Sequence, residues 1–130
     1  MEKTVNIGGQ AVRMRGSALI PKLYRFRFGR DMIADMRKLE KSYRKAAEAL
    51  KAAEEGEEAE RDAQLSVLDL TIFENVAWLM ARHADPENVP DDPDEWLDSI
   101  DGVFSVYEVL PVILELWQLN NATTSIPRKK

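Results

Sequence analysis

The chain has 130 residues and a formal net charge of -5, with 45% hydrophobic and 32% charged residues and no cysteine. This length and composition predict a single soluble globular domain with one core. The absence of cysteine excludes disulfide frameworks, thiolate metal sites and cysteine nucleophiles. The N-terminus has no apolar signal-peptide region, so we expect the chain inside the cell, and no apolar segment has the length and composition of a membrane span.

The charge is distributed unevenly along the chain. From Arg13 to Lys51 there are twelve basic residues against four acidic ones, whereas from Ala52 to Asp101 there are sixteen acidic residues against two arginines. Either the two halves neutralise each other, in the fold or between subunits, or the basic segment binds nucleic acid. The acidic total charge and the lack of a nucleic-acid-binding motif favour neutralisation.

The N-terminal segment, residues 4–15, has the pattern of a short β-hairpin. Apolar residues alternate with polar ones on both sides of Gly8-Gly9: Val5, Ile7, Val12 and Met14. A Gly-Gly pair suits a tight hairpin turn, and an isolated hairpin is only marginally stable. We therefore predict that one apolar face of the hairpin packs on helices.

Two segments with helical character follow the hairpin. Gly16-Ser17 offers a break and an N-cap, and a short helical or irregular segment extends to Phe28 and is closed by Gly29. From Arg30 onward, apolar residues recur in alternating steps of three and four, which predicts a long amphipathic helix. These residues are Met32, Met36, Leu39, Tyr43, Ala46 or Ala47, Leu50 and Ala53. We expect the charged residues of this helix, Asp35 among them, to face water.

A second long helix is predicted to start near residues 59–63, after an acidic loop at Glu54–Glu58, and to end at Ala84 before Asp85-Pro86. Its apolar residues cover more than one face, so we place it in the centre of the core. They are Leu65, Val67, Leu68, Leu70, Ile72, Phe73, Val76, Ala77, Trp78, Leu79 and Met80.

An irregular acidic connector, residues 85–94, leads to a short helix that restarts at Pro93. The last helix spans about Val103 to Asn120, is apolar on almost every side, and contains Pro111, which either kinks it or begins a new helix. Residues 120–130 are polar and are predicted to form a flexible tail. We therefore predict a mainly α-helical single domain over residues 1–119, with a short N-terminal β-hairpin.

The chain offers few groups for catalysis or metal binding. His83 is the only histidine, and without a cysteine or a second histidine it completes no typical metal or nucleophile site. We assign it a structural role near a helix C-terminus, which would stabilise its protonated form. The acidic residues of segment 85–95 lack the glycine and the ligand spacing of a calcium loop. We expect no enzyme activity, no cofactor and no metal.

Two apolar features have alternative interpretations. In Arg25-Phe26-Arg27-Phe28, the aromatics either stack on single-stranded nucleic acid or enter the core while the arginines pair with acidic residues, and we favour the second. Part of the last helix, Val103–Leu119, is either a contact surface for another protein or another copy, or it is completely buried. These two possibilities predict opposite exposures for its apolar residues.

Several segments occur in a recognisable order after the hairpin: Y-R-F-R-F-G-R-D-M-I-A-D-M-R-K-L at residues 24–39, F-E-N-V-A-W-L-M-A-R-H-A-D-P at residues 73–86, and D-E-W-L at residues 94–97. In order and spacing the chain resembles the tail assembly chaperones of long-tailed bacteriophages and prophages of Gram-positive bacteria. The resemblance covers about Val5 to Leu119.

The resemblance implies a non-structural protein that acts in the cytoplasm of the host bacterium and is absent from the mature virion. Such chaperones bind the long tape measure protein, keep it soluble and recruit tail tube subunits to it. This role needs an apolar surface and self-association but no active site. Our candidate partner-binding residues are Phe26, Phe28, Val109, Ile113, Leu116 and Trp117. The alternative is a small nucleic-acid-binding or regulatory protein that uses the basic segment, residues 13–51.

Overall fold

The computed structural model describes residues 1–52 and 65–124. Its described part is an antiparallel two-stranded hairpin followed by five helices, which confirms the predicted fold class. The elements are β1 (Glu2–Ile7), β2 (Gln10–Arg15), α1 (Ile20–Phe28), α2 (Met32–Ala52), α3 (Val67–Ala84), α4 (Pro93–Asp98) and α5 (Val106–Thr124).

The hairpin forms as predicted. Ile7 pairs with Gln10 across the turn, and Gly8 and Gly9 both have positive φ, at 58° and 84°. This is the conformation that a two-residue hairpin turn requires and that glycine adopts without strain. Ile7 and Met14 are buried, because β2 packs on α3 and β1 on α5. The hairpin thus covers one side of the helical core.

The two helices after the hairpin also form, but one side chain differs from expectation. The predicted apolar face of α2 lies inward, and its residues Met32, Met36 and Leu39 are buried. The expectation that Asp35 faces water was wrong, because only 5% of the surface of Asp35 is exposed. Burial of this carboxylate is possible because Tyr24 and Arg30 both donate hydrogen bonds to it.

The helix α3 lies in the centre of the core, as predicted. It begins at Val67 because Ser66 caps it: the Ser66 hydroxyl accepts from the Asp69 N–H at 3.0 Å, and the Asp69 carboxylate accepts from the Ser66 N–H at 3.3 Å. The predicted start at residues 59–63 and the loop at Glu54–Glu58 lie outside the described residues. Asp69 is the first buried residue of α3 and Ala81 is the last, whereas Val67 is 81% exposed.

The connector between α3 and α4 is irregular, as predicted, but it is anchored to the core. Val89 is buried, and the indole N–H of Trp78 donates to the Pro90 carbonyl at 2.8 Å. The guanidinium of Arg82 donates to the Val89 carbonyl at 2.6 Å. The side chains of α3 therefore fix the path of this acidic segment.

The last helix, α5, has different ends from those predicted. It begins at Val106, and Val103 precedes it with 77% of its surface exposed. It passes through Pro111 as one helix and extends to Thr124, so residues 120–124 are helical, whereas we had placed them in the polar tail. The rest of the predicted tail, residues 125–130, lies outside the described residues.

Candidate functional site

The helix α1 presents two aromatic side chains to opposite sides. Tyr24 is fully buried, whereas Phe26, two residues later, is 91% exposed. Positions two apart lie about 200° apart around a helix, so packing of Tyr24 directs Phe26 outward. Phe28, one turn after Tyr24, is half-buried with its ring 5.0 Å from that of Tyr24 and 6.0 Å from that of Trp78. The favoured prediction that both phenylalanines enter the core was therefore wrong for Phe26.

A hydrogen-bonded cluster beneath α1 holds this orientation. The Tyr24 hydroxyl donates to Asp35 Oδ2 at 2.7 Å, and Arg30 donates to both carboxylate oxygens at 2.7 and 2.8 Å. The hydrogen bonds from Arg30 hold the pKa of Asp35 below its usual range against the opposing effect of burial, and burial next to Asp35 raises the pKa of Tyr24. A neutral tyrosine and an ionised aspartate thus connect α1 to the first turn of α2.

An open groove lies beside Phe26, between α1 and the C-terminal half of α3. Its volume is about 310 Å³. Its lining combines apolar and basic side chains with one carboxylate: Leu23, Phe26, Arg27, Trp78, Leu79, Arg82, His83, Pro86 and Asp91. We call this feature the Phe26 groove.

The arginines of the Phe26 groove are held by contacts within the chain. The Arg27 guanidinium lies 5.2 Å from the centroid of the Trp78 ring and donates to the Asp91 carbonyl at 3.2 Å. Arg82 donates to the carbonyls of Val89 and Pro86, and its Nε lies 3.4 Å from the exposed carboxylate of Asp91. The groove therefore has an apolar floor with two positioned guanidinium groups at its edge.

His83 lies at one end of the groove. Its Nε2 is 3.0 Å from the hydroxyl of Ser17. Burial lowers the pKa of His83, and the positive charges of Arg15 and the N-terminal amine lower it further. These effects oppose the stabilisation of the protonated form that the position near the helix C-terminus predicts.

The candidate residues of α5 lie in the core. Val109, Ile113 and Leu116 are 0% exposed, and Trp117 is 6% exposed. Over residues 106–118, the exposed residues of α5 form a narrow stripe at steps of three and four: Glu108, Pro111, Glu115 and Gln118. Burial, the second of the two interpretations of this helix, therefore holds for Val109, Ile113, Leu116 and Trp117. These buried residues do not line the groove beside Phe26. Their contact with a partner would require α5 to leave the core.

Most residues of the Phe26 groove were not predicted as a site from the sequence. Trp78 and Leu79 were predicted only as core residues of α3, and no role was predicted for Arg82, which lies about one helical turn after both. The i, i+4 spacing of Tyr24 and Phe28 was the signal that Phe26 lies on the other face of α1. A second exposed apolar surface lies at the start of α3, where Val67, Leu68 and Leu70 are 81%, 44% and 37% exposed.

The described residues form neither a metal-binding cluster nor a membrane-spanning helix. Within residues 1–52 and 65–124, no group of three or more His, Asp or Glu side chains is arranged to hold a metal ion. None of the helices in the described part of the chain has the length and apolarity to cross a membrane. Comparisons with protein-family models, with curated proteins and with solved structures found no match. The site is therefore interpreted from its own residues.

Proposed function

We propose that this protein is a phage tail assembly chaperone that binds the tape measure protein, keeps it soluble and recruits tail tube subunits during tail assembly. It would act in the cytoplasm of the host bacterium and be absent from the mature virion. The observation that supports a binding role is the exposure of Phe26 beside the apolar floor of the Phe26 groove. The resemblance described above supplies the identity of the partners.

The exposure of Phe26 has a cost for the isolated chain. Burying a phenylalanine side chain is worth about 1.5–3 kcal/mol, and this stabilisation is not realised at Phe26. Among the aromatic side chains in the described part of the chain, Phe26 alone is exposed. An exposed aromatic next to an apolar groove is typical of a surface that binds another protein.

The alternative hypothesis, nucleic-acid binding by residues 13–51, is weakened by the ion pairs of this segment. Arg13, Arg30, Lys38 and Arg44 each contact a carboxylate, at 3.5, 2.7, 3.3 and 2.7 Å. Lys38 pairs with Asp69 of the acidic half, which supports the predicted neutralisation between the halves. The positive charge of these four basic residues is therefore partly neutralised within the chain itself.

The proposed function is tested by an aggregation assay. Denatured tape measure protein is diluted into buffer with or without this chain, and light scattering is followed at about 50 and 200 mM salt. We expect this chain to suppress scattering at both salt concentrations, because apolar contacts do not weaken with salt in the way that phosphate contacts do. Undiminished scattering at a molar excess of the folded chain would contradict the proposal.

A further inference from the structure

We propose that the Phe26 groove binds an amphipathic helix of a partner protein that carries large apolar side chains on one face and acidic residues beside them. This inference deepens the proposed function, on which it rests, by naming the chemistry of the bound segment. The shape of the groove, its charge and the way its charged groups are held each support this inference.

The shape of the groove suits a helix better than a flat protein surface. A volume of about 310 Å³ is at the lower end of the ~300–1,000 Å³ range of ligand pockets. It offers room for a few large side chains from one face of a helix, which projects them at positions i and i+4. Phe26 stands at the edge of this opening and would cover the inserted side chains on binding.

The charge at the edge of the groove is predominantly positive. On α1, Arg27 lines the groove and forms no ion pair with any carboxylate in the part of the chain that the structure describes. Across the groove, Arg82 adds a second positive charge, and Asp91, which lies against it, is the opposing carboxylate in the lining. A partner with acidic residues beside its apolar face would complement this edge, and a basic partner would be repelled.

Both of these arginines are already positioned for an acidic partner. Backbone carbonyls of the connector hold Arg27 and Arg82, and the Trp78 ring supports Arg27 from below. Arg27, which is held by a neutral carbonyl and an aromatic ring, keeps its full charge while losing little further side-chain freedom on binding, whereas the charge of Arg82 is partly compensated by Asp91. This arrangement favours carboxylates near the groove over a purely apolar ligand.

The test measures fluorescence anisotropy of three labelled helical peptides with the full chain. The first has leucine and phenylalanine at i and i+4 with glutamates on the flanking positions. The second replaces the glutamates by lysines, and the third replaces the apolar residues by alanine. We expect the first to bind at least about tenfold more tightly than either of the others, a factor that corresponds to about 1.4 kcal/mol.

Two variants assign the binding to the groove. Phe26→Ser removes the exposed aromatic, and Val67→Ser makes the same kind of change at the exposed start of α3. Both should keep the circular dichroism spectrum of the wild type, because both side chains project into solvent. We expect Phe26→Ser to weaken binding of the acidic peptide about tenfold and Val67→Ser to leave it unchanged.

Several results would overturn this inference. Equal binding of the acidic and basic peptides would do so, and so would equal weakening of binding by Phe26→Ser and Val67→Ser. Tighter binding of a single-stranded oligonucleotide than of the acidic peptide would also overturn it. The same holds if no peptide binds because two copies of this chain occupy each other's grooves. If no peptide binds but the chain still suppresses aggregation of the tape measure protein, the groove assignment fails and the proposed function stands. If the peptide binds but aggregation is not suppressed, the proposed function fails alone.

Discussion

The hydroxyl of Tyr24 donates a 2.7 Å hydrogen bond to the carboxylate of Asp35, and both residues are buried. This contact joins the inner face of α1 to the first turn of α2. Because Tyr24 is fixed inward, the residue two positions later, Phe26, is fixed outward. The orientation of the exposed aromatic at the groove therefore depends on a polar contact in the core.

The Tyr24→Phe variant tests this contact. We expect it to lower the free energy of unfolding by about 1–2 kcal/mol, because a buried hydrogen bond to a charged group is lost while Arg30 still pairs with Asp35. Chemical denaturation measures the change. The control is Tyr43→Phe, whose hydroxyl has no hydrogen-bond partner in the described part of the chain. Equal stabilities for the two variants would contradict the account.

Acid should weaken the same cluster. The pKa of Asp35 in the folded chain is below its usual value, so this carboxylate stabilises the fold at pH values above about 4, and the contribution is lost as the pH falls through the folded pKa. We expect Asp35→Asn to be less stable than wild type at pH 7 and to lose less stability on acidification. Denaturation curves from pH 7 to pH 2 test this, and parallel curves for the two proteins would contradict it.

His83 should titrate below the ordinary histidine pKa of about 6.5. Since its folded pKa is lowered, the stability that it contributes is present above about pH 6.5 and is lost as the pH falls. Imidazole proton shifts in nuclear magnetic resonance spectra measure the pKa directly. We expect Arg15→Gln to move it upward, because one of the nearby positive charges is removed. A wild-type pKa above 6.5 would show that the helix dipole dominates after all.

The core role of α5 is tested by a matched pair of truncations. Ile113→Ala should lower the free energy of unfolding by about 2–5 kcal/mol, because it leaves a cavity at a fully buried position. Val67→Ala, at an exposed position, should change stability by at most about 0.5 kcal/mol. If Ile113→Ala were as stable as wild type and lost partner binding, the earlier assignment of Ile113 to a contact surface would be supported instead.

The sequence predicted those features that depend on local patterns. The Gly8-Gly9 turn, the periodicity of α2 and the break at Asp85-Pro86 each follow from residues that are close along the chain, and all three agree with the structure. The start of α3 has a local signal as well, the Ser66-x-x-Asp69 capping pair, which indicates a later start than the one predicted near residues 59–63.

Features that depend on distant contacts were predicted less well. The burial of Asp35 requires Tyr24 from another helix, and periodicity within α2 does not contain that information. The burial of α5 requires the hairpin and α3 to cover it from different sides, with Leu116 lying against Gly16. The Phe26 groove is likewise formed only when α1 meets α3, so its residues do not form a motif along the chain.

The most direct test of the proposed function is co-expression with a long coiled-coil tape measure protein, followed by fractionation and affinity purification of this chain. We predict that the coiled-coil protein moves into the soluble fraction and co-purifies with the wild-type chain. If it remains insoluble while this chain is folded and abundant, the chaperone proposal is contradicted and nucleic-acid binding by residues 13–51 becomes the next hypothesis to test.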